Sequence, residues 1–312
     1  MLRRPTRIGP VTRCQSPWGQ RSLPSDVVSG VRIGISQAKD VLWQVRQTGF
    51  ESVNCHIHIG TAGWSLPRTA ASDFPGAGTH LQRYAKVLNC AEINSSFYRS
   101  HRAETYARWA HQTPREFRFA VKLPRTITHA GRLRAARAPL QSFIAEASGL
   151  NDRLAVVLVQ LPPSLTFEQR PARRFFGLLS EMFGGAVVCE PRHGSWFEPA
   201  ADRLLMTAQV GRAAADPARW PAAAVPGGWL GPAGDGAGAV VYYRWHGSPR
   251  TYWSNYGDDW LRTRAAELQR WPAAADRWCI FDNTASGAAA SNALGLREIV
   301  AKSAGLRHLH ES

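Results

Sequence analysis

From His56 onward the chain alternates a short apolar stretch with a stretch of helical spacing, eight times over, and this alternation limits the fold more than any single motif. The strands are expected at His56–Gly60, Cys90–Asn94, Phe117–Lys122, Ala155–Gln160, Ala186–Glu190, Gly211–Ala215, Ala239–Trp245 and Trp278–Asp282. Ala155–Gln160 is an apolar run of the kind found in strands buried on both faces. Between strands, Thr79 and Gln82 have capping-box spacing, and Leu81, Tyr84, Ala85 and Leu88 form the apolar stripe of the helix that follows. Phe175, Leu178, Leu179 and Met182 mark a later helix. Eight strands with crossovers in about 255 residues predict an α/β fold, a closed (β/α)8 TIM barrel in one domain over residues 56–312. An open doubly wound sheet is the alternative, but no G-x-G-x-x-G follows the first strand.

Residues 1–55 are read as an N-terminal extension. Its first 30 residues are rich in Arg, Pro, Ser and Gly, with Asp26 as the single acid, and they lack both the regular amphipathy of a transit peptide and the apolar centre of a secretory signal. An unstructured leader or a start codon set too far upstream is the expectation, with a short helix within 31–47. Cys14, Cys55, Cys90, Cys189 and Cys279 contain no CxxC pair, so they read as free thiols of a reducing, cytoplasmic compartment. No run of about 18 apolar residues predicts a membrane span. The net charge of +15 comes mostly from arginine. It favours anionic partners, either small molecules or nucleic acid, and it fits biased base composition equally well.

In a barrel of this kind ligands bind where the carboxyl ends of the strands meet the loops. Those ends supply Glu92 and Asn94, Lys122, Gln160, Glu190 with Arg192 and His193, Asp216, Arg244 with His246, and Asp282 with Asn283. Glu92 and Asn94 stand two residues apart, the spacing that puts side chains on one face of a strand. The stretch Cys189 to Trp196 is densest, with a carboxylate, a guanidinium and an imidazole within four residues. Glu190 and His193 suit general acid–base work, and Arg192 suits a phosphate or carboxylate held through two parallel hydrogen bonds. A structural Glu190–Arg192 pair with Trp196 filling a gap accounts for the same residues. The small loops His246-Gly247-Ser248-Pro249-Arg250 and Asn283-Thr284-Ala285-Ser286-Gly287 follow the last two strands, where barrels often bind phosphate.

Several motifs together resemble the YecE-like family, a domain of unknown function. They are Gly60-Thr61-Ala62-Gly63-Trp64, Glu92 through Tyr98, Phe117 through Lys122, Gln160-Leu161-Pro162-Pro163-Ser164, Glu190 through Trp196, and Phe281-Asp282-Asn283-Thr284. The resemblance runs from about residue 56 to 303. It implies a TIM barrel, distantly similar in architecture to endonuclease IV and xylose isomerase, and no reaction. It carries over Glu92, Asn94, Tyr98, Lys122, Gln160, Glu190, Arg192, His193, Trp196, His246 and Asn283. Pro191 and Gly194 replace an aromatic residue and a proline of the family pattern, and Asp282 replaces the first of two asparagines.

The expected function is therefore an enzyme acting on an anionic or phosphorylated substrate, with Glu190, His193, Lys122 and Glu92 as its catalytic set. Asn94, Tyr98, Gln160, Arg192, Trp196, Asp216, Arg244, His246, Asp282 and Asn283 are the expected ligand-binding set. Nucleic-acid binding or processing and a non-catalytic ligand-binding barrel are the alternatives. No cofactor is expected. A divalent cation is possible at Glu92, Glu190, Asp216 and His246, whereas His56-Ile57-His58 opens its strand and falls at the far end of the barrel.

Overall fold

The computed structural model describes residues 56–232 and 238–308, so the proposed extension at 1–55 lies outside the described residues. The elements run β1 (Ile57–Ala62), α1 (His80–Tyr84), β2 (Cys90–Ile93), α2 (Ala103–His111), β3 (Arg118–Lys122), α3 (Arg137–Ala147) and β4 (Leu154–Gln160). They continue α4 (Gln169–Met182), β5 (Ala186–Glu190), α5 (Pro199–Thr207), β6 (Val210–Arg212), β7 (Ala214–Asp216) and β8 (Gly227–Gly228). The last are β9 (Val240–Trp245), α6 (Asp258–Leu268), β10 (Asp276–Phe281) and α7 (Ala288–His308).

The parallel strands close on themselves. The order is β7-β9-β10-β1-β2-β3-β4-β5-β6-β8. β6 and β7 together fill one barrel position, broken at Ala213: β6 pairs with β5 and β7 pairs with β9. The eight expected strand positions are thus all present, and β8 is a two-residue antiparallel addition to β6. The capping box at Thr79 and Gln82 is formed as expected. Gly60 is a position that closure demands, because a Cβ there would lie 2.1 Å from the carbonyl oxygen of Cys90 on the neighbouring strand.

Side-chain alternation divides the apolar residues into two cores. One set lies between strands and helices and includes Ile93, Phe119, Val157, Val159, Cys189 and Phe281. The other fills the barrel interior with Cys90, Ala120, Val156, Leu158, Val188, Tyr242, Trp278 and Ile280. Counting two residues on from the interior set gives Glu92, Lys122, Gln160, Glu190, Arg244 and Asp282. All six side chains are buried. The same parity that packs the barrel with apolar groups thus turns its upper layer polar. Cys90, Cys189 and Cys279 are free and buried, and among the described residues no helix is long and apolar enough to cross a membrane.

Candidate functional site

Arg244 is the hub of the upper layer. Its side chain is fully enclosed, and its Nε and Nη2 donate to the two carboxylate oxygens of Glu92 at 2.9 and 2.7 Å. Nη1 donates to Glu190 Oε2 at 2.7 Å, and Nη2 also reaches Asp282 Oδ2 at 2.9 Å. The guanidinium fork thus holds carboxylates from three strands with most of its donors used, the bidentate geometry at which arginine excels. Tyr242 adds a hydroxyl donor to Glu92 Oε2 at 3.1 Å, and Gln160 donates to Glu190 Oε2 at 3.0 Å.

A second cation completes Glu190. Arg192 Nη2 lies 2.7 Å and Nε 3.0 Å from Oε1. Burial alone would raise the Glu190 carboxyl, but Arg192, Arg244 and His246 outweigh it and hold the group well below the ordinary carboxylate range. Asp282 is lowered in the same way, with Arg244 and His246 opposing its burial. His246 bridges the two acids: Nδ1 is 2.9 Å from Asp282 Oδ2, and Nε2 is 3.1 Å from both Glu190 Oε1 and Arg192 Nη2. The two contacts to Nε2 need opposite protonation states. A neutral ring accepts from Arg192, whereas an imidazolium donates to Glu190.

Above this network a cavity of about 460 Å³ opens at the mouth of the barrel, lined by Asn94, Phe97, Tyr98, Lys122, Arg125, His129, Gln160, Tyr252, Asp282 and Thr284. Lys122 comes off the end of β3, where Ser96 Oγ lies 2.6 Å from the Lys122 carbonyl and 2.8 Å from the Ile93 carbonyl, with its single proton available to either. The Ser95–Phe97 turn sets the Phe97 ring beneath the ammonium, 4.2 Å from Nζ. Among the described residues no carboxylate lies within the 4.0 Å of an ion pair to Lys122. Burial, reinforced by Arg244, brings this amine down from 10.5 to about 8. A π-helical turn, Thr126–Ala130, carries His129 against the other side of Phe97 at 4.9 Å. Burial and the nearby Lys122, Arg125 and Arg192 lower the His129 imidazole, which favours its neutral form.

The expected residues therefore separate. Asn94, Tyr98, Lys122, Gln160 and Asp282 line the cavity. Glu92, Glu190, Arg192, Arg244 and His246 form the network beside and beneath it. The rest lie elsewhere. His193 Nδ1 sits 2.9 Å from Ser195 Oγ and caps the turn that follows it. Trp196 is buried, with its indole N–H donating to the Leu165 carbonyl at 2.9 Å. Asn283 donates to the Ser254 carbonyl and to Asn292 Oδ1 at 2.9 and 2.8 Å, fastening its loop to the Ser254 loop and to α7. Asp216 accepts from the Tyr256 hydroxyl at 2.7 Å.

One electrostatic reading changes accordingly. Glu92, Glu190, Asp216 and His246 do not form a cation site, since Arg244 takes up Glu92 and Glu190 while Tyr256 takes Asp216; among the described residues no group of three or more His, Cys, Asp or Glu side chains is arranged to hold a metal ion. At the opposite end of the barrel, His56 Nδ1 lies 2.8 Å from Asp276 Oδ1, and His58 stacks on Trp278 at 4.5 Å, as its place at the start of β1 implies. Arg125, His129, Tyr252 and Thr284 were not expected in the site. They sit on irregular loops, where no periodicity reports direction.

Comparison with known proteins fits this architecture. The family model described as protein of unknown function DUF72 matches residues 58–311. The UPF0759 protein YecE of Escherichia coli K12 is 33% identical over 142 residues, 45% of this chain and 50% of the relative. The UPF0759 protein YunF of Bacillus subtilis is 27% identical over 152 residues, 46% of this chain and 53% of the relative. The chain thus spans about half the length of these curated relatives. The crystal structure of a DUF72 family protein from Thermotoga maritima superposes with a TM-score of 0.62 at 23% identity, over 78% of this chain and 99% of that one. One from Enterococcus faecalis gives 0.61 at 18% identity, over 78% and 95%. The family-model match over residues 58–311, on a barrel that superposes with those of known members, places this chain in the DUF72 family of proteins of unknown function.

Proposed function

We propose that the mouth of the barrel binds a small anionic molecule and that the protein acts on it by proton transfer through Lys122. One observation carries this reading: a buried amine at the wall of an open cavity, with no carboxylate paired to it. A buried ammonium normally comes with a partner, and a bound anion would supply one. Asn94 Oδ1 is buried without a hydrogen-bond partner among the described residues, which leaves an acceptor for a hydroxyl or other donor of the bound molecule. Arg125 adds positive charge at the edge. The Asp282 carboxylate is already engaged by Arg244 and His246. The volume of about 460 Å³ falls within the usual range of small-molecule sites.

In this reading burial and the fixed guanidinium of Arg244 keep Lys122 partly neutral, against the opposing pull of Glu92, Glu190 and Asp282. Calorimetric titration with glycerol phosphate tests it. Binding to the wild-type chain should weaken about tenfold or more in Lys122→Met, the loss expected for a charge-assisted hydrogen bond. Equal binding by wild type and variant, or none by either, overturns the reading. A duplex oligonucleotide that binds with a log-linear salt dependence, where glycerol phosphate does not, would replace it with nucleic-acid recognition.

A further inference from the structure

We propose that Lys122 is also a nucleophile, condensing with the carbonyl carbon of a small anionic aldehyde or ketone to form an imine; this rests on the anion-binding reading above and gives it a substrate class. The first argument is the choice of residue. Of 38 basic residues only Lys39, Lys86, Lys122 and Lys302 are lysines. Where this barrel needs a permanent positive charge it uses arginine, at Arg244, Arg192 and Arg125. A guanidinium keeps its proton and does not attack carbonyls, whereas an amine can lose its proton and form a Schiff base.

The second argument is placement. An ammonium held by a carboxylate has no free lone pair. Lys122 makes no such pair among the described residues; it lies over the Phe97 ring with Nζ 4.2 Å from the centroid, on the wall of the cavity. Burial and the proximity of Arg244 favour its neutral form, so a usable fraction of free amine exists near neutral pH.

The chemistry balances without a cofactor. The nitrogen lone pair forms a C–N bond as the carbonyl π pair moves to oxygen, and transfer of a proton from nitrogen to oxygen gives the carbinolamine. A second proton on that hydroxyl lets it leave as water while the nitrogen lone pair forms C=N, and the resulting iminium returns one proton from nitrogen to give the neutral imine. One amine and one carbonyl thus become one imine and one water. His129, on the cavity wall, is the group placed to carry these protons. The anionic part of the substrate faces Arg125.

Trapping decides the matter. The full chain is incubated with glyoxylate, pyruvate or dihydroxyacetone phosphate in the presence of sodium cyanoborohydride, and the product is peptide-mapped by mass spectrometry. The expected result is one reduced adduct per chain on Lys122 with at least one of the three, at a rate that rises between pH 7 and 9, and its loss in Lys122→Arg. No adduct with any of them, or adducts on Lys39, Lys86 and Lys302 to the same extent as on Lys122, overturns the proposal. Wild-type mapping decides alone if Lys122→Arg does not fold. Glycerol phosphate has no carbonyl, so its titration keeps the two readings apart. Binding without trapping removes the imine and leaves the anion site, whereas failure of both removes both.

Discussion

Arg244 and Glu92 face each other across the top of the barrel through two parallel hydrogen bonds of 2.9 and 2.7 Å, although 152 residues separate them in the chain. Because the same guanidinium also reaches Glu190 and Asp282, one side chain ties β9 to β2, β5 and the end of β10. Removing it would leave Glu92 buried without a cation and would take one of two partners from Glu190, which keeps Arg192, and from Asp282, which keeps His246. Arg244→Met is expected to lose about 3–5 kcal/mol of stability, the usual cost of breaking a buried ion pair on one side. Adding Glu92→Gln should restore part of the loss. Denaturant midpoints of the two variants check this, and a single variant as stable as wild type would contradict the hub.

Acid should unfold the protein through the same network. The folded values of Glu190 and Asp282 lie below their ordinary 4.5 and 3.8. Their contribution is therefore complete above the ordinary carboxylate range and disappears as pH falls through the lowered values. The urea midpoint is expected to stay level from pH 7 to about 5 and to drop below about 4.5. Glu190→Gln should start lower and show a shallower drop.

Lys122 has the opposite relation to stability. Its value falls from 10.5 unfolded to about 8 folded, so the folded state resists the charge. Below pH 8 the penalty is complete, and it is relieved as pH rises from 8 towards 10.5. Lys122→Met is expected to be more stable than wild type at pH 7, by up to roughly 3 kcal/mol less what the Phe97 contact contributes. The advantage should shrink by pH 10. A variant less stable than wild type across that range would show that the amine is not penalised by its surroundings.

Trp196 and Asn283 offer the converse test. Trp196→Phe removes the N–H that satisfies the Leu165 carbonyl, and Asn283→Ala unfastens the Ser254 loop and Asn292 of α7. Each should cost about 1–3 kcal/mol, since a buried partner is left unsatisfied. Glycerol phosphate binding at a temperature where both variants remain folded should be unchanged. Loss of that binding in either variant would return the residue to the site.

The fold was legible because its signal is periodic. Runs such as Val156–Gln160 and Val187–Glu190 announce strands, and their two-residue alternation also fixes which polar ends turn inward. That is why Glu92, Lys122, Gln160, Glu190, Arg244 and Asp282 stand among the strand-end residues expected at one mouth. What alternation does not report is height along the barrel axis or the partner each group finds. Arg244 read as a ligand contact because its three carboxylates are scattered over the chain, and only barrel closure brings them to it. His193 and Trp196 were misplaced for a related reason: the Gly194–Phe197 turn follows no strand period. The same holds for Arg125, His129, Tyr252 and Thr284, whose directions are set by irregular turns.

The account stands or falls on Lys122 as a partly neutral amine open to the cavity. Competitive acetylation with isotopically labelled acetic anhydride across pH 6 to 11, read by mass spectrometry on the Lys122 peptide, measures this directly. The account predicts a reactive Lys122 that half-titrates at about 8. A Lys122 that titrates at the ordinary 10.5, or that stays unreactive throughout while the protein is folded, would contradict it.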